Sequence, residues 1–122
     1  MTSANRSRSK SALLGRILTC LLAFGLLVSA VFAADLADLA ETRKKAEQGD
    51  ADAQFNLGLM YDSGNGVPKD LVQAHMWWNI AGAKRHENAN KNLADVEKEM
   101  TPEQKAEATK LARELFERLS KQ

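Results

Sequence analysis

Cysteine is nearly absent from this chain of 122 residues: the single one, Cys20, lies in an apolar stretch near the N-terminus. The rest of the chain therefore cannot form a disulfide, a thiolate zinc site or a cysteine nucleophile. Proline occurs only twice, and no alternating apolar run rich in β-branched residues follows Ala34. These absences exclude a disulfide-stabilised fold and favour a small domain of helices and turns.

Acidic residues are absent from the first 34 positions, where the charged residues are Arg6, Arg8, Lys10 and Arg16. The whole chain has 17 basic and 16 acidic residues, so residues 34–122 keep 13 basic against 16 acidic ones, a net charge of −3. Proteins that bind nucleic acids usually carry a basic excess on one face. Because this part of the chain has no such excess, we expect no nucleic-acid partner.

Residues 1–33 have the order of a secretory signal peptide: a basic stretch, an apolar run, and small residues before Ala33. This order predicts cleavage after Ala33, with Ala30 as a second cleavage site, and a location in the periplasm or outside the cell. The apolar run reaches eighteen residues when residues 17–34 are counted, and a membrane-spanning helix needs about 20. The alternative is therefore an inner-membrane anchor, with residues 13–34 retained as a span.

Capping and stop signals divide the rest of the chain into helices. Gly49 and the segment Gly64-Asn65-Gly66 are typical helix stops, and Thr101-Pro102 is a typical helix start. The segments between these signals have apolar residues at helical spacing, and the short loops favour antiparallel packing of consecutive helices. The signals predict helices over residues 35–48, 50–63, 70–83, 87–99 and 101–120.

A short pattern occurs twice in these helices. Ala53-x-x-Asn56-Leu57 recurs as Ala89-x-x-Asn92-Leu93, at an offset of 36 residues. A period in the mid-thirties that contains two helices and two short loops is typical of an α-solenoid, in which helix pairs stack side by side. The helix boundaries repeat together with the pattern, which strengthens this interpretation.

A longer pattern surrounds the first copy. It reads Ala46-x-x-Gly49-x-x-x-Ala53-x-x-x-Leu57-Gly58-x-x-Tyr61-x-x-Gly64-x-Gly66-Val67-x-x-Asp70-x-x-x-Ala74-x-x-Trp77-x-x-x-Ala81. This pattern resembles one full repeat of the Sel-one-like family, which is related to the tetratricopeptide repeat. The resemblance covers about residues 46–82, and residues 83–122 hold a degenerate second repeat and a capping helix.

The resemblance implies an all-α fold: a short α/α solenoid of antiparallel helix pairs, closed by a C-terminal capping helix. It also implies a role as a scaffold that binds other proteins. The residues of the pattern to which we assign structural roles are Gly49, Leu57, Gly58, Tyr61, Gly64, Gly66, Asp70, Ala74, Trp77 and Ala81.

The second repeat departs from the first. Arg85 stands where the first repeat has Gly49, Asp95 stands where it has Leu59, and a second Gly-x-Gly-Val loop is missing. Solenoids generally need about three repeats for stability. One and a half repeats therefore predict additional burial by the last helix, by self-association as a homo-oligomer, or by a partner protein.

One face of the helix over residues 50–63 is a candidate protein-binding surface. Its members are Asp52, Phe55, Leu59 and Asp62. At 100° per residue they lie opposite the apolar stripe of that helix, and the resemblance implies that this face lines the concave side of the solenoid. A small apolar patch between carboxylates suits an apolar or basic peptide segment of an unknown partner protein, such as a component of an envelope complex.

A different arrangement would bury this face. Phe55 and Leu59 would then pack against the first helix, through Leu36, Leu39 and Ala40. The offset of 36 residues carries the candidate surface onto the next repeat, where it becomes polar. The corresponding residues are Asn88, Lys91, Asp95 and Lys98.

Residue patterns typical of catalysis are missing. His75 and His86 have no acidic residue or cysteine at ligand spacing, and the glycine-rich loop lacks the Lys-Ser/Thr ending of a phosphate-binding loop. We therefore expect no catalytic residue, no metal and no cofactor. Trp77 and Trp78 share helical spacing with Ala74 and Ala81, so this stripe predicts core packing rather than a ligand or membrane contact.

An enzymatic role is the remaining alternative. Some cysteine-rich secreted relatives of the repeat family are associated with β-lactam binding or hydrolysis, and they have a cysteine pair in each repeat. This chain has no cysteine after Cys20. The expected function is therefore that of a non-catalytic protein-interaction module in the bacterial periplasm or cell envelope.

Overall fold

The computed structural model describes the backbone of residues 2–122 and the side chains from Gly15 onward. Within residues 2–122 it has five helices and no strand. They are α1 (Thr2–Glu47), α2 (Ala51–Ser63), α3 (Leu71–Ala83), α4 (Glu87–Glu99) and α5 (Pro102–Ser120). This architecture confirms the all-α prediction. The chain divides into two compact units: an N-terminal unit that ends at Asp35, and a second unit, Leu36–Gln122.

The N-terminal unit is helical, and α1 starts much earlier than the predicted start at Asp35. No proline or capping residue separates Ala34 from the residues after it, so nothing in the local sequence begins a new helix there. The segment Gly15–Glu47 is long and apolar enough to cross a membrane, and no residue of its most apolar stretch is buried. The basic side chains of Arg6, Arg8 and Lys10 lie outside the described residues.

In the second unit, α3 lies at the centre because it packs against α2, α4 and α5. Its sequence is apolar on two sides, as expected for a helix with neighbours on both. On one side Met76, Trp77 and Ile80 pack with residues from the end of α1, from α2 and from α5. These buried partners are Ala46, Ala53, Leu57, Ala112 and Leu115.

The other side of α3 forms a second apolar cluster, which contains Ala74, Trp78 and Ala81. Its further buried members, from α4, the residue after it and α5, are Ala89, Val96, Met100 and Ala108. Trp77 and Trp78 are both buried. The sequence pattern places them on one stripe, but they belong to different clusters. The reason is that neighbouring residues on a helix point about 100° apart.

The loop between α1 and α2 and the loop between α3 and α4 have the same geometry at an offset of 36 residues. Gly49 has φ of 95° and Arg85 has φ of 64°, so both lie in the left-handed region. The residue after each donates its backbone N–H to the carbonyl oxygen five residues earlier: Asp50 to Lys45 at 3.1 Å, and His86 to Ala81 at 3.2 Å. For a residue other than glycine, this backbone conformation costs about 1–2 kcal/mol of free energy. The turn is therefore kept at Arg85, although this position has no glycine.

Helices α2 and α3 approach each other most closely at Gly58. A Cβ atom added at Gly58 would lie only 2.3 Å from Nε1 of Trp78. The same Nε1 donates a hydrogen bond to the backbone carbonyl of Phe55 at 3.1 Å. The indole ring therefore occupies the space that any larger residue at position 58 would need.

We expect the substitution Gly58→Ala to destabilise the protein. Alanine normally stabilises a helix interior by about 1 kcal/mol relative to glycine, but here its methyl group would displace the buried Trp78. Overpacking of this kind costs about 1–3 kcal/mol, so the free energy of unfolding should fall. Urea unfolding followed by tryptophan fluorescence measures the change.

Gly82→Ala is the matched control, because it is also a helical glycine. A Cβ atom there would meet the amide end of the Asn90 side chain, which is flexible and can turn away. We expect this variant to be as stable as the original chain or more stable. A Gly58→Ala protein that is also stabilised would contradict the close packing of α2 on α3.

Candidate protein-binding surface

The four residues of the candidate surface lie along α2, over about 15 Å at 1.5 Å per residue. The Asp52 side chain is 88% exposed and Leu59 is 39% exposed. Phe55 and Asp62 are half-buried. The surface is therefore an apolar strip on one helix, with a carboxylate at each end.

Phe55 does not pack against the first helix, as the alternative prediction has it. It packs against the cluster that contains Trp78 and Ala81. Leu39 packs against the other cluster, and Leu36 is 50% exposed. The alternative is therefore wrong for Phe55, because this position on α2 turns toward the cluster between α3 and α4.

The ring of Phe55 stacks on the imidazole ring of His86, with ring centroids 4.6 Å apart and planes inclined by 23°. His86 is the N-cap of α4, and its Nδ1 accepts a hydrogen bond from the backbone N–H of Ala89 at 3.2 Å. Because Nδ1 is the acceptor, Nε2 carries the proton in the neutral ring. Nε2 donates to Oδ1 of Asp52 at 3.2 Å.

His86 thus extends the candidate surface from α2 to the start of α4, although the sequence pattern did not assign it to the surface. A signal for it was present. His86 lies 36 residues after Asp50, which caps α2 through a 2.9 Å hydrogen bond to the N–H of Ala53. The cap position of the first repeat therefore predicts a capping role for His86, but not its stacking on Phe55.

The corresponding surface of α4 is polar. Its residues Asn88, Lys91, Asp95 and Lys98 are all exposed. The hydrogen bond from Lys98 Nζ to Asp95 Oδ1, at 2.7 Å, raises the pKa of Lys98 above its ordinary value. Because the two charges compensate each other in water, this part of the surface attracts a charged partner only weakly.

The residues that the repeat pattern marks as structural form the core and the turns. Leu57, Gly58, Ala74, Trp77 and Ala81 are buried. The hydroxyl of the half-buried Tyr61 accepts a hydrogen bond from Arg43 at 2.7 Å. Asp70 caps α3, and the glycines with positive φ are Gly49, Gly64 and Gly66.

His75 lies away from the candidate surface and is buried. Its Nε2 is 2.9 Å from Oε1 of Glu97, so the pair connects α3 to α4.

Among the residues that the structure describes, no group of three or more His, Cys, Asp or Glu side chains is placed to hold a metal ion. A groove of about 810 Å³ lies elsewhere, between the end of α1, α3 and α5, and its charged side chains are of both signs.

We expect His86→Ala to lower the free energy of unfolding by about 1–2 kcal/mol, because it removes both the cap of α4 and the ring stacked on Phe55. His86→Asn is the matched variant. Asparagine is a good N-cap, so it should recover about 1 kcal/mol of the loss. Urea unfolding of the three proteins at one pH measures both effects, and equal stability of all three would show that His86 does not cap α4.

The sequence and the fold both have known relatives. Residues 51–86 match the family described as Sel1 repeat. A stretch of 44 residues is 46% identical to the secretory immunoglobulin A-binding protein EsiB of Escherichia coli O6:H1. The matched stretch covers 36% of this chain and 9% of that protein.

The fold is similar to the crystal structure of c5321, described as a protective antigen present in uropathogenic Escherichia coli strains displaying an SLR fold. The TM-score is 0.65 at 33% identity, over 68% of this chain and 18% of that one. The chain therefore spans less than a fifth of the length of either relative. Together the matched residues, the two-helix repeat and the shared fold identify residues 51–86 as a Sel1 repeat, in a chain with the helical-solenoid fold of that repeat family.

Proposed function

We propose that this chain is a non-catalytic protein-interaction module, and that it binds an apolar or basic peptide segment of a partner protein on the surface of Asp52, Phe55, Leu59 and Asp62. The observation that carries the proposal is the partly exposed apolar strip on α2 with a carboxylate at each end. The proposal requires no cofactor, metal or nucleic acid.

The geometry favours a peptide as the ligand. Leu59 and the ring of Phe55 offer apolar contact, and the helix that carries them is already ordered, so binding costs little conformational entropy on this side. Asp52 and Asp62 attract a lysine or arginine that flanks the apolar residue of the peptide. Exposed ion pairs contribute only about 0.2–1 kcal/mol each, so the apolar contact supplies the affinity and the carboxylates supply the selectivity.

The relatives support a protein as the class of partner. The name of EsiB states that it binds secretory immunoglobulin A, and the repeat that it shares with this chain is a helical scaffold. This chain corresponds to a small part of EsiB, so we carry over only the class of partner and not its identity.

We expect a library of displayed peptides to yield sequences in which an apolar residue is flanked by lysine or arginine. Asp52→Lys combined with Asp62→Lys should weaken binding of these peptides about tenfold, because two attractive pairs become repulsive. Leu59→Ser should weaken it by removing apolar contact. Phe55→Ala would disturb the core as well as the surface, so it is the less useful variant.

Asp95→Lys combined with Glu99→Lys is the matched control for this experiment, since it makes the same charge change on two exposed carboxylates of α4. Binding that is weakened equally by the control would show that overall charge, and not the strip on α2, attracts the peptide. Circular dichroism of each variant establishes that the fold is retained. A library that yields no basic or apolar preference would contradict the proposal.

We also propose that the module acts in the periplasm or outside the cell, after cleavage behind Ala33 or Ala30. The apolar, exposed N-terminal helix supports export, and its length equally supports the second candidate, an inner-membrane anchor over residues 13–34. In either case the repeat would lie on the outer side of the inner membrane, because basic residues before the apolar run favour the cytoplasm.

The mass of the protein recovered from the cell envelope distinguishes these two outcomes. We expect a chain that begins at Ala34, or at Val31 if the second site is used. A chain that begins at Met1 or Thr2 would identify the anchor. Ala33→Arg is the control, because signal peptidase requires a small residue before the cut, and this variant should shift processing to Ala30 or abolish it.

A further inference from the structure

Helix α5 has a second stripe on its outer side, in addition to the one that packs on α3. Its inner stripe is buried through Ala108, Ala112 and Leu115. The second stripe consists of exposed residues spaced three or four apart, which therefore lie on one face. They are Ala106, Thr109, Arg113, Phe116 and Ser120.

Phe116 is the central apolar residue of this outer stripe, and it is 52% exposed. Two shallow grooves of about 520 and 290 Å³ adjoin it, and both are lined by Phe116 and Ile80. Most other exposed positions of α5 carry charges. The stripe itself has a single charged residue, Arg113, and Glu117 follows Phe116 on its edge.

We propose that a second copy of this chain covers the outer stripe, with the two α5 helices packed antiparallel about a two-fold axis. In the register that places Arg113 opposite Phe116 of the second copy, Thr109 lies opposite Ser120. Each aromatic ring then meets a guanidinium group, a favourable cation–π pair. Each Arg113 also comes next to Glu117 of the second copy, so opposite charges pair twice.

The charges of the stripe select this arrangement over a parallel one. In a parallel pair each residue faces its own copy, so Arg113 would lie against Arg113 and the like charges would repel. Burial of Phe116 against a second copy also adds apolar area to a solenoid that has fewer than the about three repeats usually needed. The outer stripe shares no residue with the peptide-binding surface on α2, so the inference does not depend on the proposed function.

Disulfide trapping of the purified chain under mild air oxidation tests the register. The full chain with Cys20→Ser serves as background. A variant with both Thr109→Cys and Ser120→Cys should form a covalent dimer of twice the chain mass, because facing positions of packed helices are close enough to bridge. Each single substitution alone should give little dimer. Equal trapping by the single variants would overturn the antiparallel arrangement, and a cross-linked product with a different protein would overturn the second copy as the occupant.

Charge exchange tests the contact itself, in the same cysteine background. Arg113→Glu should lower the trapped fraction about fivefold by placing like charges together, and Arg113→Glu with Glu117→Arg should restore part of it, because the ion pairs form again while the cation–π pair does not. Phe116→Ser should lower the fraction about tenfold, since an aromatic anchor is lost. Glu107→Arg, at an exposed position on another side of α5, is the control and should have no effect.

Circular dichroism of the four variants separates loss of association from loss of folding, because Phe116 and Arg113 are exposed and their replacement should leave the helices intact. Trapping that is unchanged by both Phe116→Ser and Arg113→Glu would overturn the proposal. So would failure of the charge exchange to restore a dimer in a chain that remains folded.

Discussion

The close approach of α2 and α3 at Gly58 is the contact on which the rest of the second unit depends. The Trp78 ring fills the space beside this glycine and donates its N–H to the carbonyl of Phe55. The Trp78 side chain thus connects the core to the backbone of the helical turn of α2 that contains Phe55. The orientation of the strip on α2 therefore follows from a buried contact.

The central position of α3 explains how so short a solenoid can fold. A helix with neighbours on two sides buries nearly all of its apolar residues, and each fully buried large side chain contributes about 1.5–3 kcal/mol. In α3 these residues include Met76, Trp77, Trp78 and Ile80. His75 adds a polar connection to α4 through Glu97. The last helix adds further cover through Ala112 and Leu115, which pack in the same cluster as Met76, Trp77 and Ile80.

Much of the fold could be predicted from the sequence because its signals are local. Capping residues and glycines determine where a helix begins or ends, and the boundaries of α2 to α5 lie within one residue of those predicted. The start of α1 could not be placed in this way, because no breaker separates the apolar segment from residue 35 onward. Phe55 was harder for a different reason. Its partner is set by which neighbouring helix lies closest, and the spacing of residues along α2 contains no information about that.

His86 is the residue of the candidate surface that the pattern failed to identify. A histidine is an uncommon N-cap, and its capping role is visible only when the two loops are aligned at their offset of 36 residues. Its stacking on Phe55 depends on the distance between α2 and α4, which no single helix determines. The positions of the carboxylates at the two ends of the strip, Asp52 and Asp62, follow in contrast directly from helical periodicity.

The equivalence of the loops around Gly49 and Arg85 has a consequence for how such a chain can change its length. Backbone that enters and leaves a 36-residue unit in the same conformation can be joined to another copy of that unit without remodelling either junction. Duplication of the segment between the two loops would then lengthen the stack by one helix pair. The strained arginine shows that this junction tolerates side chains other than glycine, so the ends of inserted copies are free to diverge in sequence.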